Sequence, residues 1–378
     1  MNFSSFQKPS RYIDSEFNAI RKPGCPEVRF ALAFPDTYEV GMSHLGLRIL
    51  YKIINDLPFA AAERIFAPWT DMREELKNTG TSLSSLESAT PLRAFDILGF
   101  SLQYELSYTT VLDMLDLASI PLRAADRMQS GEALPLVVAG GPSTVNPAPM
   151  SPFIDVFLIG DGEEAIVELI EAVRRCKADR AGKEELLREI ALIEGFYVPL
   201  VHGKSARIRR RFIKDLESAP FPDRQIVPYA QIVHDRISIE VARGCPMGCR
   251  FCQAGMIYRP LRERSPERVL EIAESALKNT GYDEVSFSSL SAGDYSCLLP
   301  LISGFNRKYR SSRIAVALPS LRVASVSKEV LNEIRSVRKT GFTMAPEAAT
   351  ERLRSVINKD FTDADYERAL EALFDEGW

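Results

Sequence analysis

The chain has 378 residues, 46% apolar and 26% charged, with a formal net charge of −4. That is the balance of an ordinary globular protein of one large domain or two, with ample material for a core. The slightly acidic charge excludes a global attraction to nucleic acid or anionic membrane; no run of about 18 apolar residues suggests a membrane span, and MNFSSFQKPSRYIDSEF (1–17) lacks the apolar stretch of a secretory signal.

After an N-terminal extension (1–27), residues 28–175 alternate short apolar runs with helical patterns. VRFALAFP (28–35) predicts a strand and LRILYKIIN a helix; AERIFAP (62–68) predicts a weaker strand before the helical WTDMREELKNTG. FDILGFSL (95–102) is almost wholly apolar, as a strand buried on both faces should be, and TTVLDMLDLA follows with helical spacing. LPLVVAGGP (134–142) and IDVFLIGDGEEAIVELIEAVRR (154–175) add two more strand–turn units. Five strands with intervening helices predict a doubly wound parallel sheet, whose ligands bind beyond the carboxyl ends of the strands. The turns Gly140-Gly141-Pro142 and Gly160-Asp161-Gly162-Glu163 fall at such ends.

Residues 176–235 read as a connector: a charged helix, GFYVPLV, the basic run KSARIRRRFIK (204–214) and a proline-rich stretch. In ARIRRRFIK cations alternate with apolar residues, which fits a strand with one wet face better than a nucleic-acid stripe. A second series occupies 236–378. RISIEVARG predicts a strand running into a cysteine-rich loop. SPERVLEIAESALKNTG (265–281) carries Ser265 as N-cap, Pro266 at the first helical position and Gly281 as stop. DEVSFSSL (283–290), RIAVALPS (313–320) and GFTMAP (341–346) predict strands, each followed by a helical pattern. Four β–α units of this kind have the rhythm of a parallel barrel left incomplete.

The loop after the first strand of this series reads RGCPMGCRFC (243–252) and holds three of the chain's six cysteines. Cys25, Cys176 and Cys297 are scattered singly, unlike a disulfide framework, and a reducing cytoplasm is the expected compartment. The spacing Cys245-x3-Cys249-x2-Cys252 leaves four readings open. Zinc wants four ligands, and only His234 lies near in sequence. A redox pair needs only Cys249 and Cys252. An iron–sulfur cube usually takes four thiolates, so three leave one iron open. The fourth reading is incidental small apolar residues in a glycine-rich turn. Arg259, Arg262 and Arg264 beyond the cysteines read as a solvated face, and Cys297 as a buried apolar residue.

With Phe251 before the last cysteine, the pattern resembles the signature of radical S-adenosylmethionine (SAM) enzymes. The resemblance implies that Cys245, Cys249 and Cys252 hold a [4Fe–4S] cluster whose fourth iron chelates SAM. It implies reductive cleavage to methionine and a 5′-deoxyadenosyl radical, which abstracts hydrogen from substrate. Ser291-Ala292-Gly293-Asp294 is a looser version of the family's Gly-Gly-Glu-like turn, so Gly293 and Asp294 would bind the methionine part. Glu347, in MAPEAATERLRSVINK (344–359), matches the strand-end glutamate that contacts the nucleotide. An electron donor such as a flavodoxin or ferredoxin is the implied partner.

The first series resembles the cobalamin-binding domain of the cobalamin-dependent class. Gly140-Gly141 fits that pattern well and Ser101-Leu102 imperfectly. His44 stands where the family's cobalt ligand would, but Met42 replaces the aspartate of Asp-x-His-x-x-Gly and the glycine comes one residue early. EVGMSHLGLRILY, GFSLQYELSYTTVLDMLDLASIPL and VVAGGPSTVNPAPM look like an uncharacterised family of cobalamin-binding-type radical SAM proteins. Its members continue past a point equivalent to Trp378 to complete a barrel, so the resemblance implies a C-terminal truncation, with the missing half-barrel in a neighbouring chain as one arrangement. Two alternatives stand beside the enzyme reading. One is an inactive or partner-dependent fragment that binds the cluster. The other is a methylthiotransferase-like RNA-modifying enzyme, weakened by having only Cys25 and Cys176 ahead of the cluster loop.

Overall fold

The computed structural model describes residues 4, 6–318, 321–339, 341 and 343–378. The chain divides into two compact units: Met1–Ile213 with Pro220–Pro222 and Ile226–Asp235, and Arg236–Trp378 with Lys214–Ala219 and Asp223–Gln225.

In the first unit, β1 (Val28–Phe34), β2 (Ala60–Phe66), β3 (Ile97–Ser101), β4 (Leu136–Gly140) and β5 (Val156–Leu158) are parallel, and β6 (Phe196–Tyr197) is antiparallel to β5. They form one sheet in the order β2-β1-β3-β4-β5-β6. The helices are α1 (Tyr38–Gly41), α2 (Leu45–Asp56), α3 (Thr70–Thr79), α4 (Tyr108–Leu117), α5 (Ala124–Gln129), α6 (Ala165–Asp179), α7 (Lys183–Ala191) and α8 (Pro199–His202). Alternation along β1 assigns the two faces: Val28, Phe30, Leu32 and Phe34 pack with α2, α6 and α7, while Ala31 and Ala33 pack with α3 and α4. Each fully buried Phe or Leu on these faces contributes roughly 1.5–3 kcal/mol. The sheet is therefore doubly wound as expected, with a short sixth strand added. Because β1 lies between β2 and β3, the winding reverses there, and the loops leaving β1 and β3 are where such a sheet is expected to take a ligand.

The expected connector is largely part of this unit. Residue 176 falls inside α6, whose amphipathic period continues to Asp179, and β6 joins the sheet. ARIRRRFIK forms no strand. It is extended, with one parallel bridge from Arg211 to Gly160, and the Arg211 guanidinium pairs with Glu164 at 2.9 Å and Glu168 at 2.6 Å.

β2 is an edge strand, yet all seven residues are buried. The outward backbone groups of Ala60, Ala62 and Arg64 are met by other parts of the chain. Asn55 bonds both the N–H (3.0 Å) and the carbonyl (3.2 Å) of Ala62. The Arg64 N–H donates to Glu87 at 2.7 Å, and the Arg64 carbonyl accepts from Leu86 N–H at 3.0 Å. Lys22 reaches the Ala60 carbonyl at 2.5 Å. The Arg64 side chain is itself buried, held by Glu87 at 2.7 Å and by Glu16 of the N-terminal extension at 2.5 Å.

In the second unit, β7 (Ile237–Glu240), β10 (Glu284–Ser288) and β11 (Ala315–Ala317) form a parallel sheet in the order β11-β10-β7. A separate ribbon pairs β8 (Ala242–Arg243) with β9 (Arg262–Glu263). The helices are α9 (Gln253–Ile257), α10 (Pro266–Thr280), α11 (Leu298–Tyr309), α12 (Lys328–Arg335), α13 (Glu351–Val356) and α14 (Asp363–Asp375). α10 begins and ends as the sequence dictates: Ser265 Oγ accepts from Arg268 N–H at 3.1 Å, and Gly281 takes the left-handed conformation at φ 76°. The fourth strand expected across 341–346 does not form among its described residues; Phe342 lies outside them, as do residues 319–320 of the third. Thr343 accepts from Leu321 N–H at 3.4 Å, after which Pro346, lacking an N–H, interrupts any ladder. Among the described residues no helix is long and apolar enough to cross a membrane.

Candidate functional site

At the carboxyl end of β7 the chain enters a loop that returns as β9. The pairs Ala242↔Glu263 and Arg243↔Arg262 close this loop at its base. Arg262 ties down the returning side, donating from Nε to the Pro260 carbonyl (3.1 Å) and from Nη2 to the Tyr258 carbonyl (3.2 Å). Gly244 opens the loop at φ 96°, and a Cβ there would stand 2.7 Å from both of those carbonyl oxygens.

The three clustered cysteines all lie on this loop, each half-buried with a free thiol. The Cys249 carbonyl accepts from Cys252 N–H at 3.1 Å. Cys252 heads α9, where its Sγ accepts from Gly255 N–H at 3.3 Å. Burial pushes the Cys245 thiol up, a hydrogen bond with the Met247 backbone pulls it down, and the charges of Asp294, Cys249 and Cys252 push it up again. Among the described residues no three His, Cys, Asp or Glu side chains are gathered tightly enough to hold one metal ion. A single zinc needs its sulfurs at ~2.3 Å from one centre. A cube instead sets each thiolate on its own iron.

The other expected residues of this unit fall at loop ends around the sheet. Asp294 accepts from Ser291 Oγ at 2.5 Å and pairs with Arg322 at 3.4 Å. Gly293 presses on the neighbouring turn so closely that a Cβ would lie 2.4 Å from Ser325 Cβ. Glu347 has a left-handed backbone (φ 65°) and an ion pair with Lys359 at 2.9 Å. Phe251 is 53% exposed, so its ring is presented at the loop surface rather than packed in a core. The expectation of a solvated arginine face is corrected for two of its three members: Arg259 is exposed, but Arg262 and Arg264 are buried. Backbone carbonyls compensate the buried charge of Arg264, those of Glu240 (3.1 Å), Ala219 (3.3 Å) and Glu217 (3.4 Å). Sequence reasoning missed Asn358, whose Nδ2 donates to the Gly248 carbonyl at 2.9 Å, and Arg322 and Lys359, which hold the two carboxylates.

In the first unit, Gly140 ends β4 with open space where a Cβ would stand, whereas Gly141, at φ 103°, lies against the Leu102 carbonyl. His44 sits in the β1 loop at the reversal of the winding. Its Nδ1 accepts from Leu47 N–H at 3.1 Å, capping α2, and its ring packs 5.3 Å from Phe34. Accepting at Nδ1 leaves the proton of the neutral ring on Nε2, so neither nitrogen offers a metal a free lone pair. His44 therefore does not fit a cobalt ligand.

Burial lowers the His44 pKa to about 4, with a Gln103 hydrogen bond opposing and the Arg48 charge assisting. Folding holds this ring neutral, so stability is lost as pH falls from the unfolded value of 6.5 toward 4, by at most about 3 kcal/mol. Asn at this position keeps the cap and removes the titration. Urea unfolding of His44→Asn should show a smaller loss between pH 7 and 4.5 than the parent chain; equal losses would refute the assignment.

A family profile described as radical SAM proteins, N-terminal, matches residues 46–199, and one for the radical SAM superfamily matches residues 239–378. An uncharacterized protein of Methanocaldococcus jannaschii is 24% identical over 344 residues, 90% of this chain and 65% of that protein. The anaerobic magnesium-protoporphyrin IX monomethyl ester cyclase of Cereibacter sphaeroides is 28% identical over 242 residues, 59% of this chain and 36% of the cyclase. Among solved structures, the radical SAM methyltransferase TsrM of Kitasatospora setae, with tryptophan and a SAM analogue bound, superposes with a TM-score of 0.60 at 14% identity, covering 92% of this chain and 66% of that one. The cobalamin-dependent radical SAM enzyme OxsB, with aqua-cobalamin bound, gives 0.60 at 13% identity, covering 93% and 48%. The chain thus spans less than two thirds of the curated relatives' length, 65% of one and 36% of the other.

Proposed function

Because the chain belongs to the radical SAM superfamily, we propose that it is a radical SAM enzyme whose Cys245, Cys249 and Cys252 hold a [4Fe–4S] cluster and leave one iron for SAM. The observation that carries this reading is the donor set: three thiols and no fourth on one loop pinned by β8 and β9. When bound and reduced, the cluster supplies the electron that breaks the sulfonium C–S bond of SAM.

The chain's own residues would bind and orient. Asp294, fixed by Ser291 and Arg322, offers a carboxylate oxygen to the methionine ammonium, and Gly293 lets that turn approach closely. Glu347 would contact the nucleotide, with Lys359 holding its carboxylate, and Phe251 presents an apolar ring at the loop surface. An external one-electron donor of the flavodoxin or ferredoxin class is the partner this chemistry requires, and a reducing cytoplasm is the compartment that keeps the thiols free. In the first unit, the turn at Gly140 and Gly141 would receive a corrinoid in a form that leaves His44 in its cap.

Anaerobic reconstitution with iron and sulfide should give a brown protein that, with dithionite, forms 5′-deoxyadenosine from SAM. The triple Cys→Ala variant at 245, 249 and 252 should be colourless and inactive. A colourless parent chain holding one zinc would defeat the reading. A brown parent chain that forms no 5′-deoxyadenosine would instead leave a cluster-binding fragment.

A further inference from the structure

Four consecutive residues at the end of α13 converge on the cysteine loop and on Glu347. The carbonyls of Val356 and Ile357, among those a helix leaves unpaired at its end, accept from Arg250 Nη1 at 2.7 Å and Arg250 N–H at 2.9 Å. Asn358, left-handed at φ 57°, donates from Nδ2 to the Gly248 carbonyl at 2.9 Å. Lys359 pairs with Glu347 at 2.9 Å. The residues on either side of Cys249 are thus both fastened to this turn, and the next side chain along fastens Glu347. The turn is itself rigid: buried Arg354 binds the carbonyls of Ala348 (3.3 Å), Ala349 (3.2 Å) and Phe361 (3.2 Å).

We infer that Asn358 is a positioning residue: it fixes the main chain around Cys249, and through the adjoining Lys359 it sets that thiol in register with Glu347. This rests on the cluster reading above. The cysteine spacing supplies the sulfurs; the distant turn supplies the distance between them.

The test uses the full chain, reconstituted anaerobically, and two variants that tolerate the left-handed backbone. Asn358→Asp keeps the shape but loses the donor; Asn358→Gly loses the side chain. Groups that orient metal ligands typically change metal affinity about 10- to 100-fold when removed. The expected result is iron retention against a competing chelator weakened about ten-fold in both variants. The electron paramagnetic resonance of the reduced cluster should be altered, and amide exchange at Arg250 faster in the metal-free protein. A merely structural role would move the melting midpoint and leave the resonance unchanged, and that result overturns the inference. So do variants that retain iron, resonance and exchange like the parent. If the parent itself takes up no cluster, the enzyme reading falls first and this inference with it; a loading parent beside indistinguishable variants defeats the inference alone.

Discussion

Gly244→Ala is expected to abolish cluster binding while leaving the first unit folded. At φ 96° any side chain is strained, and a Cβ would also stand 2.7 Å from two carbonyl oxygens and 3.0 Å from Leu261 Cα. None of these atoms can swing aside. The Pro260 and Tyr258 carbonyls are held by the buried Arg262 guanidinium, and Arg262 is paired in β9 with Arg243. The left-handed backbone alone costs about 1–3 kcal/mol, and the overlap must then be relieved by opening the ribbon that closes the loop. Since Cys245 is the next residue, its thiol moves with the break. Iron content after reconstitution should fall to that of the triple cysteine variant, with the far-ultraviolet dichroism of the six-stranded unit preserved. Full iron loading by Gly244→Ala would show that the loop tolerates an open base.

Arg64→Ala should be the most damaging single change in the first unit. Among the described residues its guanidinium pairs with two wholly buried carboxylates, Glu16 and Glu87, the three side chains being 1%, 0% and 2% exposed. Burial alone would favour a neutral Arg64, but Glu87 and Glu16 outweigh it and raise its pKa. Deleting one partner of a buried ion pair typically costs about 3–5 kcal/mol, because the charge left behind has neither water nor counter-ion. Replacing the whole triad by neutral groups of similar size is far milder. Arg64→Met with Glu16→Gln and Glu87→Gln should therefore recover most of the loss. Guanidinium unfolding at pH 7 measures both; an Arg64→Ala chain within about 1 kcal/mol of the parent would contradict the buried-triad account.

Features written in local pattern were legible, and those that depend on distant partners were not. Ser265, Pro266 and Gly281 announce α10 because capping chemistry is complete within one helix. The cysteine spacing is likewise local, and it left four readings open until the resemblance narrowed them. Arg262 and Arg264 looked like surface residues because charge normally means solvent; backbone carbonyls meet the buried Arg262 within its own loop and the buried Arg264 from the distant 217–219 segment as well as Glu240. Asn358 lies 110 positions from Gly248, so no spacing rule reaches it; the only local hint is asparagine after a helix, a residue that accepts a left-handed backbone. The loop pattern suggested His44 as a ligand, and only the Leu47 contact shows that its Nδ1 is spent on capping α2. The strand expected at 341–346 followed from the β–α rhythm, and among its described residues only a bridge at Thr343 remains.

The plugged outer rim of β2 decides how this molecule can meet others. A strand with free N–H and carbonyl groups invites an extended peptide, or a second sheet, to add itself by main-chain bonding. Here Asn55, Lys22, the Glu87 carboxylate and the Leu86 N–H already occupy places such a visitor would take. That flank is closed to templated growth and to strand exchange between copies. Association there would have to proceed through side chains, and opening the flank would first require displacing Glu87, which also carries half the counter-charge of Arg64.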